Sequence, residues 1–302
     1  MQTINNIMDF AEEIKSAIEA RTDYEVRVNE IRKNNDVTRI GICITTKDNN
    51  IAPTIYLEQA FEVYQTGKSF DSVVDDVLHL SEDNQVAPFE TDLIMNWDTA
   101  KDNIFMRLVN RGRNSERLTE IPFAKFGDLA IIFCIHVKVN IECDGAITIT
   151  NNIMNSWGKN LNDIFAVAQT SKSVGKTMWE MLTDLAGADL EDCLHVIKDE
   201  PMFVLTNSDK MHGAIAMIDT PTLKRISEEV EDDLYIIPSS IHELIVTKRS
   251  YMNEEKCNDL IKEVNATQVG PDEILSDHCY PFIDGKLYMN ETMEEEMVVE
   301  LN

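Results

Sequence analysis

Two runs of alternating, β-branched residues, 24–33 and 37–46, are separated by Asn34, Asn35 and Asp36. A period of two places apolar side chains on one face of a strand, and Asn and Asp tolerate the left-handed geometry that reverses a chain. The pattern predicts an antiparallel hairpin and excludes an all-helical chain. Ahead of it the period changes: Ile4, Ile7, Met8, Ala11, Ile14 and Ile18 recur at helical spacing, so an amphipathic helix is expected first.

The same reading continues down the chain. Helices are expected over 58–66, over 69–80 with Ser69 as N-cap, and from Asp98 to about residue 110. The apolar run 130–139 and the alternating 146–150 flank Asp144-Gly145 and predict a second hairpin. Beyond residue 150, helical stretches over 161–169 and 176–185 lead to an acidic patch at 184–200. Strands are then expected over 202–205, 214–218, 234–237, 244–247 and near Tyr280, alternating with helices over 223–230 and 253–264. Hairpin-linked strands mixed with helices indicate an α+β fold, with antiparallel or mixed sheets and packed helices in two lobes. The expected domains are an N-terminal region 1–150, a C-terminal region 151–290 and an acidic tail 291–302. That tail has five acids and no base, and is expected to be solvated and mobile.

Charge narrows the function. The 302 residues carry 54 acidic and 27 basic side chains, a net charge of -27, while 43% hydrophobic content supplies a core and argues against wholesale disorder. Direct nucleic-acid binding needs clustered Lys and Arg, so no nucleic-acid partner is expected. The N-terminal segment has acids among its apolar positions, unlike a secretory signal. The longest apolar run, 129–135, is far short of the roughly 20 residues that span a bilayer, so no membrane partner is expected. Six scattered cysteines read as reduced thiols, and the chain as cytoplasmic.

Five segments carry a resemblance: IAPTIYLE at 51–58, IPFAKFGDLAIIF at 121–133, PMFVLTNSDKMHGA at 201–214, DLYIIPSSIHELIV at 233–246 and VNATQVGPDEILSDHCY at 264–280. Their order and spacing resemble an uncharacterised family, a domain of unknown function, from gut Firmicutes and their mobile elements. From Trp157 onward the chain is more distantly similar to the YtpQ-like proteins of bacilli. The resemblance implies a shared fold and a cytosolic life in bacteria or their phages. It implies no catalytic residue.

Three constellations are candidates for chemistry. A phosphate loop is suggested by Gly175, Lys176 and Thr177, with Asp219 following the apolar 215–218. Backbone N–H groups must curl around the phosphates there, yet Thr170 stands where the first glycine belongs, and 161–168 is spaced as a helix face. A helix–loop–helix is therefore the expected structure, and no cofactor is expected. Ser240 and His242, with Asp277 and His278, supply a nucleophile, a base and a carboxylate by type. No Gly-x-Ser-x-Gly elbow surrounds the serine, and turn chemistry explains Pro238-Ser239-Ser240 equally well. These four are weak catalytic candidates, expected to be separated or buried. Cys134, His136 and Cys143 offer three donors where a structural zinc site needs four, so no metal is expected.

Weighed together, these features favour a non-enzymatic cytosolic module that binds a protein partner or regulates it. The alternatives are an acidic inhibitor that imitates nucleic acid on a nuclease or restriction enzyme, and a hydrolase using the Ser240/His242 region.

Overall fold

The computed structural model describes residues 4–45, 52–83, 92–138, 144–170, 202–207, 211–238 and 240–301. They divide between two compact units.

The first unit draws on residues 1–33, 37–91 and 138–145. Helix α1 (Ile7–Arg21) starts at Asn6, whose side chain accepts the Asp9 N–H at 2.8 Å and so satisfies one of the orphan donors of the first turn. The apolar spacing seen in the sequence becomes its buried face, Phe10, Ala11, Ile14 and Ile18. Strands β1 (Glu25–Arg32) and β2 (Thr38–Thr45) pair antiparallel from Glu25 opposite Thr45 to Arg32 opposite Thr38. The reversal passes through Asn35 and Asp36, both left-handed at φ +59° and +51°. A short β3 (Ile55–Tyr56) extends this sheet along β2. Helices α2 (Glu58–Gln65) and α3 (Phe70–Asp83) close the core. Phe10 sits at its centre, with ring centroids 5.1 Å from Phe61, 5.3 Å from Tyr64 and 6.1 Å from Phe70.

The second unit comprises described residues within 34–36, 92–137 and 146–302. After the single turns α4 (Asp92–Met95) and α5 (Trp97–Ala100) come β4 (Ile104–Asn110), β5 (Phe123–Phe126), β6 (Leu129–Lys138) and β7 (Asp144–Thr148). Helices α6 (Asn151–Ser156) and α7 (Leu161–Thr170) follow, then β8 (Met202–Leu205). A 3₁₀ segment, Gly213–Ile218, leads into α8 (Thr220–Val230), β9 (Leu234–Ile237), β10 (Leu244–Lys248) and α9 (Glu254–Thr267). The chain ends with β11 (Tyr280–Ile283), β12 (Lys286–Leu287) and β13 (Val299–Glu300). One sheet runs β13-β5-β6-β4 with β7 also on β6, and the other runs β12-β11-β9-β10-β8; every pairing registered is antiparallel. Leu129 through Cys134 are all fully buried, which explains why β6 reads as an unbroken apolar run: both of its faces are covered. The class is α+β, as the hairpin and helix periods require.

Three expectations are corrected. The segment expected to be helical from Asp98 to residue 110 is α-helical only to Ala100, continues as a 3₁₀ turn over Lys101–Asn103 and then becomes β4. Asn96, not Asp98, caps the short helix by accepting the Asp98 N–H. Beyond it, Ile104, Met106 and Leu108 alternate with less buried neighbours, and this period of two outweighs the helical signal. The apolar 214–218 is a 3₁₀ turn and not a strand, a distinction that four or five apolar residues cannot make alone. The acidic tail is packed: Met297 is 4% exposed, Val299 pairs with Phe126 on β5, and Glu291 accepts from Tyr235 and Arg249. Met297, the β13 pairing and the Glu291 contacts anchor it, while Met293 and Val298 stay exposed. Residues 92–137 group with 146–302. In β6, this leaves the buried run on the same side of the division as α6 and α7.

Truncating the ring at the centre of the first unit should be costly. Phe10→Ala is expected to destabilise it by about 3–5 kcal/mol, since it loses transfer energy and leaves a cavity among three rings. Urea unfolding followed by circular dichroism measures this.

Candidate functional site

Strand β8 delivers Thr206 and Asn207 to the place where the chain returns through Met211, His212 and Gly213. Asn207 clamps the return, its amide donating to the Met211 carbonyl at 2.7 Å and its side-chain oxygen accepting the Met211 N–H at 3.2 Å. His212 then takes the left-handed conformation, φ +58° and ψ +23°, uncommon for a residue with a side chain. The next N–H, from Gly213, and the Thr206 hydroxyl both donate to the His242 carbonyl, at 3.0 and 2.8 Å. A Cβ at Gly213 would lie 2.3 Å from the Thr206 Oγ1 and 2.7 Å from that carbonyl, so only glycine permits the approach.

This join stacks two imidazoles. The His212 and His242 rings have centroids 5.3 Å apart, and Phe105 of β4 stacks on the other side of His212 at 5.9 Å. The His212 backbone N–H donates to His242 Nδ1 at 3.2 Å. His242 therefore carries its proton on Nε2, which faces Glu273 at 3.7 Å. Glu273 is held in place by its backbone, whose carbonyl accepts the Ile241 N–H at 3.0 Å. Its loop is pinned further by Asn34, donating to the Asp272 carbonyl, and by Asn35, donating to the Pro271 and Ile274 carbonyls. Asn34 and Asn35, which group with the second unit, thus help to set the position of Glu273.

Charge explains the protonation of the pair. His212 is 9% exposed, and its Nδ1 is buried with no hydrogen-bond partner. Burial, then the charges of Arg107 and His242, hold its pKa down at about 3, so the ring is neutral at any physiological pH. Burial also lowers the His242 pKa, with Arg107 adding to the effect and Glu273 opposing it. Arg107 shares the Phe105 face of β4, two residues on. Arg117, in the turn leading to β5, donates to the Thr148 hydroxyl at 2.9 Å. Its pKa is lowered by burial and by repulsion from Arg107. The buried Cys134 thiol beside them is pushed up by desolvation and stays neutral.

The candidates named from sequence are placed as follows. Ser240 Oγ accepts the His242 backbone N–H at 3.0 Å, closing a hydroxyl turn, while the His242 ring is directed to His212 and Glu273. Asp277 pairs with Arg113 at 2.6 Å and accepts from Asn265 at 3.0 Å. His278 Nε2 meets Asp128 at 3.0 Å, Tyr280 donates to the other Asp128 oxygen at 2.8 Å, and His278 Nδ1 lies 3.0 Å from the Cys279 carbonyl. Among the described residues, the Ser240–His242 turn is the one hydrogen bond that joins any two of these four. Gly175, Lys176 and Thr177 lie outside the described residues; the segment before them is helix α7 and not the strand a phosphate loop requires. Cys143 also lies outside them. Among the described residues no group of three or more His, Cys, Asp or Glu side chains is arranged to hold a metal ion.

Sequence reasoning missed His212, Arg107 and Arg117. The signal available for His212 was its place before a glycine after a turn-rich Asn-Ser-Asp. For Arg107 it was alternation within a segment that was read as helix.

Two outcomes test this description. Gly213→Ala is expected to destabilise the second unit by about 1–3 kcal/mol and to separate the stacked imidazoles, measured by denaturation and by the histidine ring resonances. The His278–Asp128 pair has its own pH signature. Burial alone would depress the His278 pKa, but the Asp128 hydrogen bond and charge and the Cys279 carbonyl outweigh it and raise it. A raised folded-state value means a contribution complete below the unfolded pKa of about 6.5, and lost as pH rises through the folded value. The stability difference between the wild type and His278→Gln should therefore be largest below about pH 6.5 and shrink above it.

Among the described residues no helix is long and apolar enough to cross a membrane. No curated protein and no solved structure matches the chain. Residues 7–283 match the model of a family of unknown function, DUF5688, which takes in both compact units and every residue of the histidine–arginine cluster. The chain belongs to that family.

Proposed function

We propose that this protein acts by binding, as an acidic protein-binding or regulatory module of the bacterial cytoplasm, and not by turning over a substrate. The observation that carries the reading is the use made of Ser240 and His242. The serine oxygen is occupied in a backbone turn, and the imidazole nitrogen nearest the chain accepts a backbone N–H, so neither is free to pass a proton to the other. Asp277 and His278 are likewise held in pairs that fasten the loop before β11. The charge supports a basic partner surface. The support is the net charge of -27 as a whole, since the exposed Asp71 and Asp75 of α3 already pair with Arg21 and Asp76 with Lys68. Such a charge steers association with a basic protein over a range set by ionic strength.

The test has a catalytic and a binding half. Ester, phosphomonoester and peptide substrates are expected to give no turnover that distinguishes wild type from Ser240→Ala. A turnover that falls about 100-fold or more in the variant would establish the hydrolase. A partner retained on the immobilised protein at low salt should be released as salt rises. If that partner is a nuclease whose activity the protein inhibits, the acidic face imitates nucleic acid; a partner held equally at high salt contradicts the charge-based reading.

A further inference from the structure

The strongly acidic chain keeps a small cationic cluster that its own acids leave uncompensated. Arg107 and Arg117 lie close enough to repel, and among the described residues no carboxylate forms an ion pair with either. Arg107 Nε is buried without a hydrogen-bond partner, as is His212 Nδ1. The acid that most directly opposes Arg117 is Asp36, one of whose oxygens accepts the Glu116 N–H at 3.4 Å while the other is buried and unpartnered. Glu273 faces His242 and not the arginines. Arg117 bonds the Thr148 hydroxyl and Arg107 the Cys134 thiol, but two buried nitrogens, Arg107 Nε and His212 Nδ1, are left without a hydrogen-bond partner beside two like charges. Leaving buried donors and charges unmet is costly, and structures retain such arrangements where a ligand completes them.

We propose that Arg107, Arg117 and His212, with His242 stacked behind, form a binding site for a phosphate dianion, either free or as the monoester of a small molecule. The chemistry of each residue fits. Guanidinium groups present paired N–H donors that match two oxygens of a tetrahedral anion, and two of them match a double charge better than the single charge of a carboxylate. The neutral His212 ring adds a donor without adding a charge that must be desolvated, its unpartnered Nδ1 carrying the proton in the bound state. The Thr148 hydroxyl, already accepting from Arg117, holds that guanidinium in place. Phe105 and the stacked imidazoles offer an apolar wall against which the organic part of a monoester would lie. This proposal stands apart from the partner-binding reading: either can fail without the other.

The experiment is calorimetric titration of the full chain at constant ionic strength with inorganic phosphate, glycerol 3-phosphate and acetate. Both phosphates are expected to bind, acetate about 10-fold or more weakly, and Arg107→Met and Arg117→Met each to weaken phosphate about 10-fold or more. Glycerol 3-phosphate binding several-fold tighter than inorganic phosphate identifies a monoester ligand, and equal affinities identify the free anion. Thermal unfolding separates ligation from structure. Without phosphate, Arg107→Met should melt no lower than wild type, because one of two like charges is gone, whereas phosphate should raise the wild-type midpoint more than the variant's. Arg117→Lys, which keeps the charge and loses the fork, guards against a variant that does not fold, and should also bind phosphate several-fold more weakly. Absence of phosphate binding to the wild type overturns the proposal. So does binding that the arginine substitutions leave unchanged.

Discussion

The second unit turns on a single carbonyl. The oxygen of His242 accepts from Gly213 and from Thr206, and that shared acceptor ties the end of β8, the 3₁₀ turn and the start of β10 into one corner. The corner exists only because residue 213 lacks a side chain. Once it closes, the His212 ring has nowhere to go but between Phe105 and His242, and its backbone N–H points at the neighbouring imidazole. The left-handed turn at His212 and the tautomer of His242 go with that contact, whereas Asn34, Asn35 and the Ile241 N–H position Glu273.

Electrostatics then gives the corner its character. The chain is acidic, yet β4 presents Arg107, from the face it shares with Phe105, toward two imidazoles and a second arginine. Burial and like charge lower both histidine pKa values and make Arg117 a weaker base. The His278–Asp128–Tyr280 cluster shows the opposite solution, in which a carboxylate accepts from both neighbours. One cluster is closed on itself and holds the fold; the other is open to an anion.

Legibility followed the strength of the local signal. The first hairpin was readable because Asn34, Asn35 and Asp36 allow positive φ between two period-two runs, and α1 because its apolar spacing spans four turns. β4 was misread because Asp98 looked like a cap, whereas the cap was Asn96 and the helix lasted one turn. The tail differs from its expectation because the acids at 291 and 294–296 dominate its composition, while a single buried side chain, Met297, and the two-residue β13 suffice to dock it. At the site, the sequence pointed to His242 and to the turn chemistry of Ser240. The partners of His242 were out of reach: Arg107 and Glu273 come from segments more than 30 residues away, one on β4 and the other in a loop tied to Ile241. No spacing rule encodes such a meeting.

Burial, and after it the positive charge of Arg107, lower the pKa of both histidines. Nitrogen-detected NMR titration of the imidazoles tests it most directly, in wild type and in Arg107→Met. The structure predicts His212 neutral down to about pH 5 and beyond, His242 protonated on Nε2 alone, and both titrating at higher pH once Arg107 is replaced. A wild-type His212 that titrates near the ordinary value of about 6.5, or a pair indifferent to the loss of Arg107, would contradict it.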